Sequence, residues 1–183
     1  MTRFHATFTD HVTPSGWKLS RALRRLDVTT EPFDYKNNKG ADGYSYDRVL
    51  SIRPEPRMWS PPIIAAHELA HIVLGHTAHV RSVQELALPI SSIPFAQFEL
   101  EAHTVAKTVG YCMELNDEDF KVELVQKYID YIRNDENVQP LLQRRALRLA
   151  CAVQVIVEAG EKSRSRRSDD LTYSARFTSV GAP

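Results

Sequence analysis

The residues best suited to chemistry in this chain are His67, Glu68 and His71, which occur in the order H-E-x-x-H. Residues four apart on an α-helix differ by only about 40° around its axis, so both imidazoles can reach one metal ion. Glu68 lies about 100° further round, beside the ion rather than on it. The arrangement is typical of metalloproteases, in which the histidines bind zinc and the glutamate takes a proton from water on the metal.

The helix that carries this motif is predicted by its own sequence, WSPPIIAAHELAHIVLGH. Ser60 suits the N-cap, Pro61 and Pro62 suit a first turn, and Gly75 suits the C-terminus. The flanking side chains are apolar on nearly all sides, which predicts a buried helix. Because buried ionisable groups are costly unless they are paired or bind a metal, the context favours a metal site over a chance match.

A third ligand is expected on the helix predicted for residues 95–115, because a catalytic zinc site combines three protein ligands with an open position. Glu99 and Glu101 lie roughly 200° apart on that helix, so both cannot face one ion. Periodicity favours Glu101, which borders the apolar stripe, and leaves Glu99 as the alternative. His76 and His79 are weaker candidates, since His76 misses the spacing of the extended motif H-E-x-x-H-x-x-G-x-x-H by one residue.

The composition predicts a cytoplasmic protein. The 183 residues carry 23 basic and 23 acidic side chains, so the chain has no overall attraction to nucleic acid or to an anionic membrane. Cys112 and Cys151 lack C-x-x-C spacing and are expected to be buried thiols in a reducing compartment. The N-terminal sequence lacks the apolar region of a secretory signal, and no apolar run predicts a membrane span.

The rest of the chain predicts a mostly helical α+β fold. An amphipathic helix is expected at 14–28, and strand-like patterns occur at 31–36 and 44–53, giving a hairpin or small antiparallel sheet before the H-E-x-x-H helix. Two more helices are predicted from Asn116 and from Val138. Three segments follow from this: an N-terminal helix with a connecting segment (1–43), a metallopeptidase-like domain (44–160) and a flexible tail (161–183).

Two features bear on partners. The segment Val49–Arg53 is either an open sheet edge, to which an extended peptide can add main-chain hydrogen bonds, or an ordinary interior strand. Arg21, Arg24 and Arg25 are expected to be solvated, and contact with nucleic acid is the weaker alternative. The expected partner is therefore a protein or peptide substrate, without a membrane.

The pairing of HELAHIVLGH with a later ELEAHTVAKTVGYCMEL resembles the metallopeptidase domain of ArdC-type antirestriction proteins. More distantly, it resembles the ImmA/IrrE proteases that cleave phage-type repressors. The resemblance covers about residues 44–158 and implies a zincin-like domain with one Zn2+ ion. A Glu-Ala pair follows the motif helix in those families, which implies Glu101, before Ala102, as the third ligand. His103 departs from their pattern, and the segment before residue 44 is short for the DNA-binding domain of ArdC-type proteins.

These observations predict a zinc endopeptidase that cleaves a specific intracellular protein, such as a phage or mobile-element regulator. The zinc ligands would be His67, His71 and Glu101, with Glu68 as the general base. A further donor to the oxyanion is expected from one of four side chains: His103, Tyr111, Tyr44 or Tyr46. The alternative is an antirestriction or DNA-associated binding protein with a structural or vestigial metal site. A secreted digestive protease is disfavoured by the missing signal.

Overall fold

The computed structural model describes residues 12–78, 93–115 and 138–162. The α+β class is confirmed, with a small sheet ahead of the motif helix. The elements of the described residues are α1 (Leu19–Arg25), β1 (Thr29–Thr30), β2 (Gly43–Tyr46), β3 (Val49–Ile52), α2 (Pro61–Val73), α3 (Ile93–Cys112) and α4 (Val138–Gly160). The helix predicted from Asn116, the tail after residue 162 and the alternative ligand His79 lie outside the described residues.

Helix α2 carries the motif and contacts α3, α4, β2 and β3. Its small apolar side chains let these elements approach closely, and Ala65, Ala66 and Ala70 are fully buried. Ser60 is the N-cap residue, as predicted, but its side chain makes no capping hydrogen bond. Pro61 and Pro62 fill the first two helical positions, and because proline has no N–H they need no cap.

Gly75 ends α2 in the left-handed conformation, with φ of 73°. The Gly75 N–H donates to the carbonyl of Ile72 at 3.1 Å, and the His76 N–H donates to the carbonyl of His71 at 2.9 Å. This pair of bonds is the Schellman motif, which turns the chain back on the last turn of the helix. His76 is consequently placed beside His71 instead of continuing the helical register.

The sheet has the order β1-β3-β2, with β1 parallel and β2 antiparallel to β3. The strand predicted at 44–53 is in fact two strands joined by a tight turn at Asp47, where φ is 44°. The strand predicted at 31–36 is wrong, because the chain pairs two residues earlier, at Thr29–Thr30. Val49–Ile52 is therefore the central strand, and β2 is the edge strand next to α2 among the described residues.

Helix α1 is shorter than predicted and packs against the C-terminal half of α4. The Trp17 Nε1–H donates to the carbonyl of Ile156 at 3.1 Å, and Arg25 donates to the carbonyl of Glu158 at 2.6 Å. Arg21 donates to the carbonyl of Gly160. Two of the arginines expected to be solvated therefore satisfy carbonyls at the end of a helix, where positive charge is favoured.

One hydrophobic core joins α1 to the later helices, since Trp17 and Ala22 belong to the same cluster as Leu69 and Val105. The boundary at residue 43 stays a prediction. The expectation of buried thiols is wrong, because Cys112 and Cys151 are both exposed on helices. Among the described helices, none is both long enough and apolar enough to cross a membrane.

Candidate metal centre

His67 and His71 converge on the buried face of α2, with their Nε2 atoms 3.2 Å apart. Glu99 of α3 completes the group, because its carboxylate oxygens lie 3.5 Å from His67 Nε2 and 3.4 Å from His71 Nε2. One ligand atom from each of the three residues lies within 4.8 Å of the others. The spacing of the motif thus places both imidazoles as expected, and the group could hold a metal ion.

The preference for Glu101 over Glu99 is corrected, because the structure does not bring Glu101 to the histidine pair. The Glu101 carboxylate instead accepts hydrogen bonds from Gln97 at 3.0 Å and from Arg145, and it lies 3.0 Å from His76 Nε2. The side chain of Glu101 is fully buried, whereas that of Glu99 is 17% exposed. Burial is therefore the wrong criterion, since the carboxylate nearer the histidine pair is the more exposed of the two.

Mutual stabilisation of charge is visible within the group. Burial opposes ionisation of Glu99, but hydrogen bonds from His67 and His71 hold its pKa well below the usual range. Burial is the largest influence on His71 and disfavours its charge, but the hydrogen bond to Glu99 and the attraction of Glu99, Glu68 and Glu101 together raise the His71 pKa. Two imidazoles and an ionised carboxylate are a donor set that suits zinc and several other divalent cations.

Glu68 lies between α2 and the edge strand β2. Its carboxylate is buried, and Ser45 Oγ donates a hydrogen bond to Glu68 Oε2 at 2.8 Å. Burial raises the pKa of Glu68, while His67, His71 and the Ser45 hydrogen bond act in the opposite direction. A carboxylate with a raised pKa next to metal ligands is suited to accept a proton.

The strand passes so close to Glu68 that its first residue must be glycine. A Cβ atom on Gly43 would lie 2.6 Å from Ile64 Cγ2 and 3.0 Å from Glu68 Oε1. The next residue facing α2 is Ser45, because alternate side chains of a strand share a face. The absence of a side chain at position 43 and the small hydroxyl at position 45 therefore make room for the carboxylate.

On the side of His71 opposite Glu99, a row of polar side chains runs through His76 to Glu101. His71 Nδ1 lies 3.1 Å from His76 Nδ1, and His76 Nε2 lies 3.0 Å from Glu101 Oε2. The ring of His76 is stacked on Phe98, with 4.3 Å between centroids. Burial opposes ionisation of Glu101, but hydrogen bonds from His76, Gln97 and Arg145 lower its pKa to about 2. Glu101 is consequently a carboxylate at neutral pH.

His103 lies beside the ligand group, one turn of α3 beyond Glu99. Its ring centroid is 4.4 Å from that of His67 and 4.8 Å from that of Trp59. Burial, reinforced by repulsion from His67, lowers the pKa of His103 to about 2, so the imidazole is neutral. Of the four side chains predicted as oxyanion donors, His103 is the one that contacts the ligand group.

The three tyrosines are placed differently. The hydroxyls of Tyr44 and Tyr46 donate to the carboxylate of Glu31 at 2.9 and 2.6 Å, on the face of the sheet opposite Ser45. Tyr111 is 51% exposed near the end of α3, three turns beyond Glu99, and its ring contacts Lys107. Tyr44 also lines the cleft, and the role of the three tyrosines as oxyanion donors stays a prediction.

A cleft of about 530 Å3 opens onto the site. One side is formed by β2 and the preceding loop at 37–42, and the other by the N-terminal part of α3. Met58, Trp59, Phe95 and Phe98 give it an apolar lining, while Glu68, His71 and Glu99 line its polar part. A cleft of this size can enclose several side chains of a ligand.

No protein-family model, curated protein or solved structure matches this chain. The sequence pattern does not reveal the placement of two residues at the site. Glu99 was ranked second because a helix period does not reveal which side of the buried stripe faces a cleft. His76 lies outside the three-residue ligand group. Its position beside His71 has a signal in the sequence, since Gly75 after an apolar helix is typical of a Schellman turn that returns to the last turn of that helix.

Proposed function

We propose that the chain is a metal-dependent hydrolase and, more specifically, a zinc endopeptidase with a zincin-like arrangement. The observation that carries the proposal is the combination of a three-residue ligand group with a buried carboxylate base at the wall of an open cleft. A structural zinc site is normally closed by four protein ligands, whereas a catalytic site has three and leaves one position open. His67, His71 and Glu99 would hold the ion.

A divalent cation at this site would supply a Lewis acid that lowers the pKa of water and polarises a substrate carbonyl. Glu68 accepts the proton from the attacking water and passes it to the leaving amine. Its burial supports this role, because a raised pKa brings the carboxylate closer to the pH at which it must exchange protons. Ser45 holds one oxygen of Glu68 and leaves the other for the water.

Peptide is the favoured substrate because the cleft is bordered by the main chain of an edge strand. Among the described residues β2 has one edge without a partner strand, which can pair with an extended peptide, and the same strand positions Glu68 through Ser45. The apolar side chains of Met58, Trp59 and Phe95 would accept apolar substrate groups. His103 is the best-placed donor to the carbonyl oxygen, since its neutral ring retains one N–H and lines the same cleft.

The choice of zinc rests on the ligand set, and the intracellular regulator as substrate rests on the resemblance to ArdC-type and ImmA/IrrE domains. Two histidines and one carboxylate are the ligands of several zinc proteases. The cleft, 530 Å3 in volume, suits a short extended segment more than a folded surface. We accordingly expect cleavage at few positions, each in an extended part of the substrate.

Hydrolysis can be tested by incubating the zinc-loaded protein with peptides from a digested bacterial proteome, after the digesting protease has been removed. New peptide N-termini are then counted by mass spectrometry. The matched control is zinc-loaded Glu68→Gln, which retains the size of the side chain and all three ligands. New termini are expected with the unmodified protein and not with Glu68→Gln. Equal cleavage by the two proteins would refute the role of Glu68. Equal absence of cleavage, together with salt-dependent binding of single-stranded DNA, would favour the binding protein instead.

A further inference from the structure

We infer that His76, Glu101 and Arg145 form a hydrogen-bonded row that fixes His71 in the tautomer whose Nε2 atom can bind the metal. The inference rests on the proposed metal site and assigns a function to the polar row behind it. His76 lines the cleft, but its two ring nitrogens face His71 and Glu101. The three residues would act on the metal only by positioning His71. They are therefore positioning residues and not catalytic ones.

The geometry supplies a continuous path of polar contacts. His71 Nε2 faces Glu99, while His71 Nδ1 lies 3.1 Å from His76 Nδ1 on the opposite side of the ring. The second nitrogen of His76 lies 3.0 Å from Glu101 Oε2. The other oxygen of Glu101 accepts from Gln97 and Arg145, which leaves Oε2 directed at His76.

The direction of each hydrogen bond follows from the end of this path. Arg145 and Gln97 are donors, so the Glu101 carboxylate is held as an acceptor and His76 must place its N–H on Nε2. Neutral His76 then offers a lone pair at Nδ1, and His71 must place its own N–H on Nδ1. When a divalent cation displaces the proton that His71 Nε2 shares with Glu99, the remaining N–H would stay on Nδ1 and the lone pair at Nε2 would bind the ion.

The reverse order is electrostatically unfavourable. It would direct a ring lone pair of His76 at the fully buried Glu101 carboxylate, with no proton between them. The contrast with His67 supports a specific arrangement at His71, because His67 Nδ1 is buried without a hydrogen-bond partner among the described residues. Only one of the two imidazoles is thus anchored from behind.

Separate elements of the fold position His76, at one end of the polar row, and Arg145, at the other. The Schellman turn at Gly75 brings His76 against His71, and the stacking of His76 on Phe98 fixes its ring plane. Arg145 comes from α4, which also sends Arg148 to the carbonyl of Leu74 at the end of α2. The orientation of one metal ligand is therefore linked to the packing of α4 against α2 and α3.

Two substitutions of His76 distinguish the effect of its hydrogen-bonding nitrogens from the effect of its ring shape. His76→Phe keeps a ring that can stack on Phe98 but removes both nitrogens. His76→Gln keeps an acceptor for His71 and a donor for Glu101. Zinc affinity, measured by competition with a chromophoric chelator, is expected to fall about 10- to 100-fold in His76→Phe and only a few-fold in His76→Gln. Equal affinities for the unmodified protein and both variants would overturn the inference.

A control is needed for the loss of stability that His76→Phe will cause. Val109→Ala shortens a fully buried side chain of α3 that takes no part in the hydrogen bonds between His71, His76, Glu101 and Arg145. It is expected to lower the melting temperature but to leave zinc affinity unchanged. A loss of affinity in Val109→Ala as large as in His76→Phe would show that affinity merely follows stability, and would overturn the inference.

The tautomer can be observed directly by proton–nitrogen NMR of the zinc-loaded protein. The His71 Nδ1–H proton is expected to exchange slowly with water in the unmodified protein and in His76→Gln, and much faster in His76→Phe. Equally fast exchange in all three would overturn the inference while leaving the metal site intact. Failure of the unmodified protein to bind zinc would instead overturn the proposed function, and this inference with it.

Discussion

At the scale of single residues, the demands on a metal ligand differ from those on a core residue. Glu101 is more deeply buried than Glu99, yet the histidines face Glu99 because the open side of the site lies there. The two histidines and Glu68 could be predicted, since their spacing alone fixes their relative positions on a helix. The choice between two carboxylates on α3 could not, because it depends on how α3 is rotated against α2 and α4.

Ser45 provides a test of the base at this scale. Its hydrogen bond lowers the pKa of Glu68 against the raising effect of burial, so Ser45→Ala should raise that pKa further. The proposed base must be ionised to accept a proton, so activity is expected to fall as the pH falls through the pKa of Glu68. The acid limb of the pH profile of kcat/KM should therefore move to higher pH in Ser45→Ala.

The matched control for this experiment is Ser51→Ala, which removes a buried hydroxyl from β3 that donates to the Glu31 carbonyl and not to Glu68. Its acid limb should coincide with that of the unmodified protein. A shift of the limb to lower pH in Ser45→Ala, or an equal shift in both variants, would be inconsistent with a hydrogen bond from Ser45 to a Glu68 carboxylate that acts as the base.

At the scale of elements, the motif helix could be predicted and the sheet could only partly be predicted. Proline at the start and glycine at the end mark α2 by local chemistry. The β2–β3 turn has no such signal: Asp47 adopts a left-handed conformation and is held by Thr77, 30 residues away. Because this contact joins residues that are distant in sequence, the local pattern of residues 44–53 does not reveal the turn and predicts one strand.

The close approach of β2 to α2 predicts a selective effect of Gly43→Ala. The added methyl group would overlap Ile64 and press on Glu68, so the strand or the carboxylate must move. Zinc affinity should be nearly unchanged, because no ligand is contacted, while kcat should fall by at least about tenfold from misplacement of the base. Parallel measurement of zinc affinity and kcat tests this. Unchanged kcat would show that Glu68 is not held against β2.

At the scale of the whole molecule, one core extends from α1 to α4, and α4 also contacts Glu101 and the end of α2. The length of 183 residues favours one domain, but the partners of α1 could not be predicted. Arg21 and Arg25 looked like a solvated face because a helix pattern does not show where a second helix ends. The exposed cysteines have the same explanation, since apolar neighbours in sequence do not ensure burial.

Trp17 tests whether the N-terminal segment folds together with the metal-binding part. It is 1% exposed and donates a hydrogen bond to α4, so Trp17→Ala should lower the free energy of unfolding by about 3–5 kcal/mol. Urea unfolding followed by circular dichroism should show a single transition at a lower midpoint. A loss below about 1 kcal/mol, or two separate transitions, would show that the segment before residue 43 is energetically independent.

The central claim is that one divalent cation binds between α2 and α3 on His67, His71 and Glu99. The most direct measurement is an anomalous difference map at the zinc edge, from crystals grown with zinc. We predict a single strong peak among the two Nε2 atoms and the Glu99 carboxylate, with His76 and Glu101 behind it and not bound to it. A map without that peak, or with the peak on His76 and Glu101, would contradict the account.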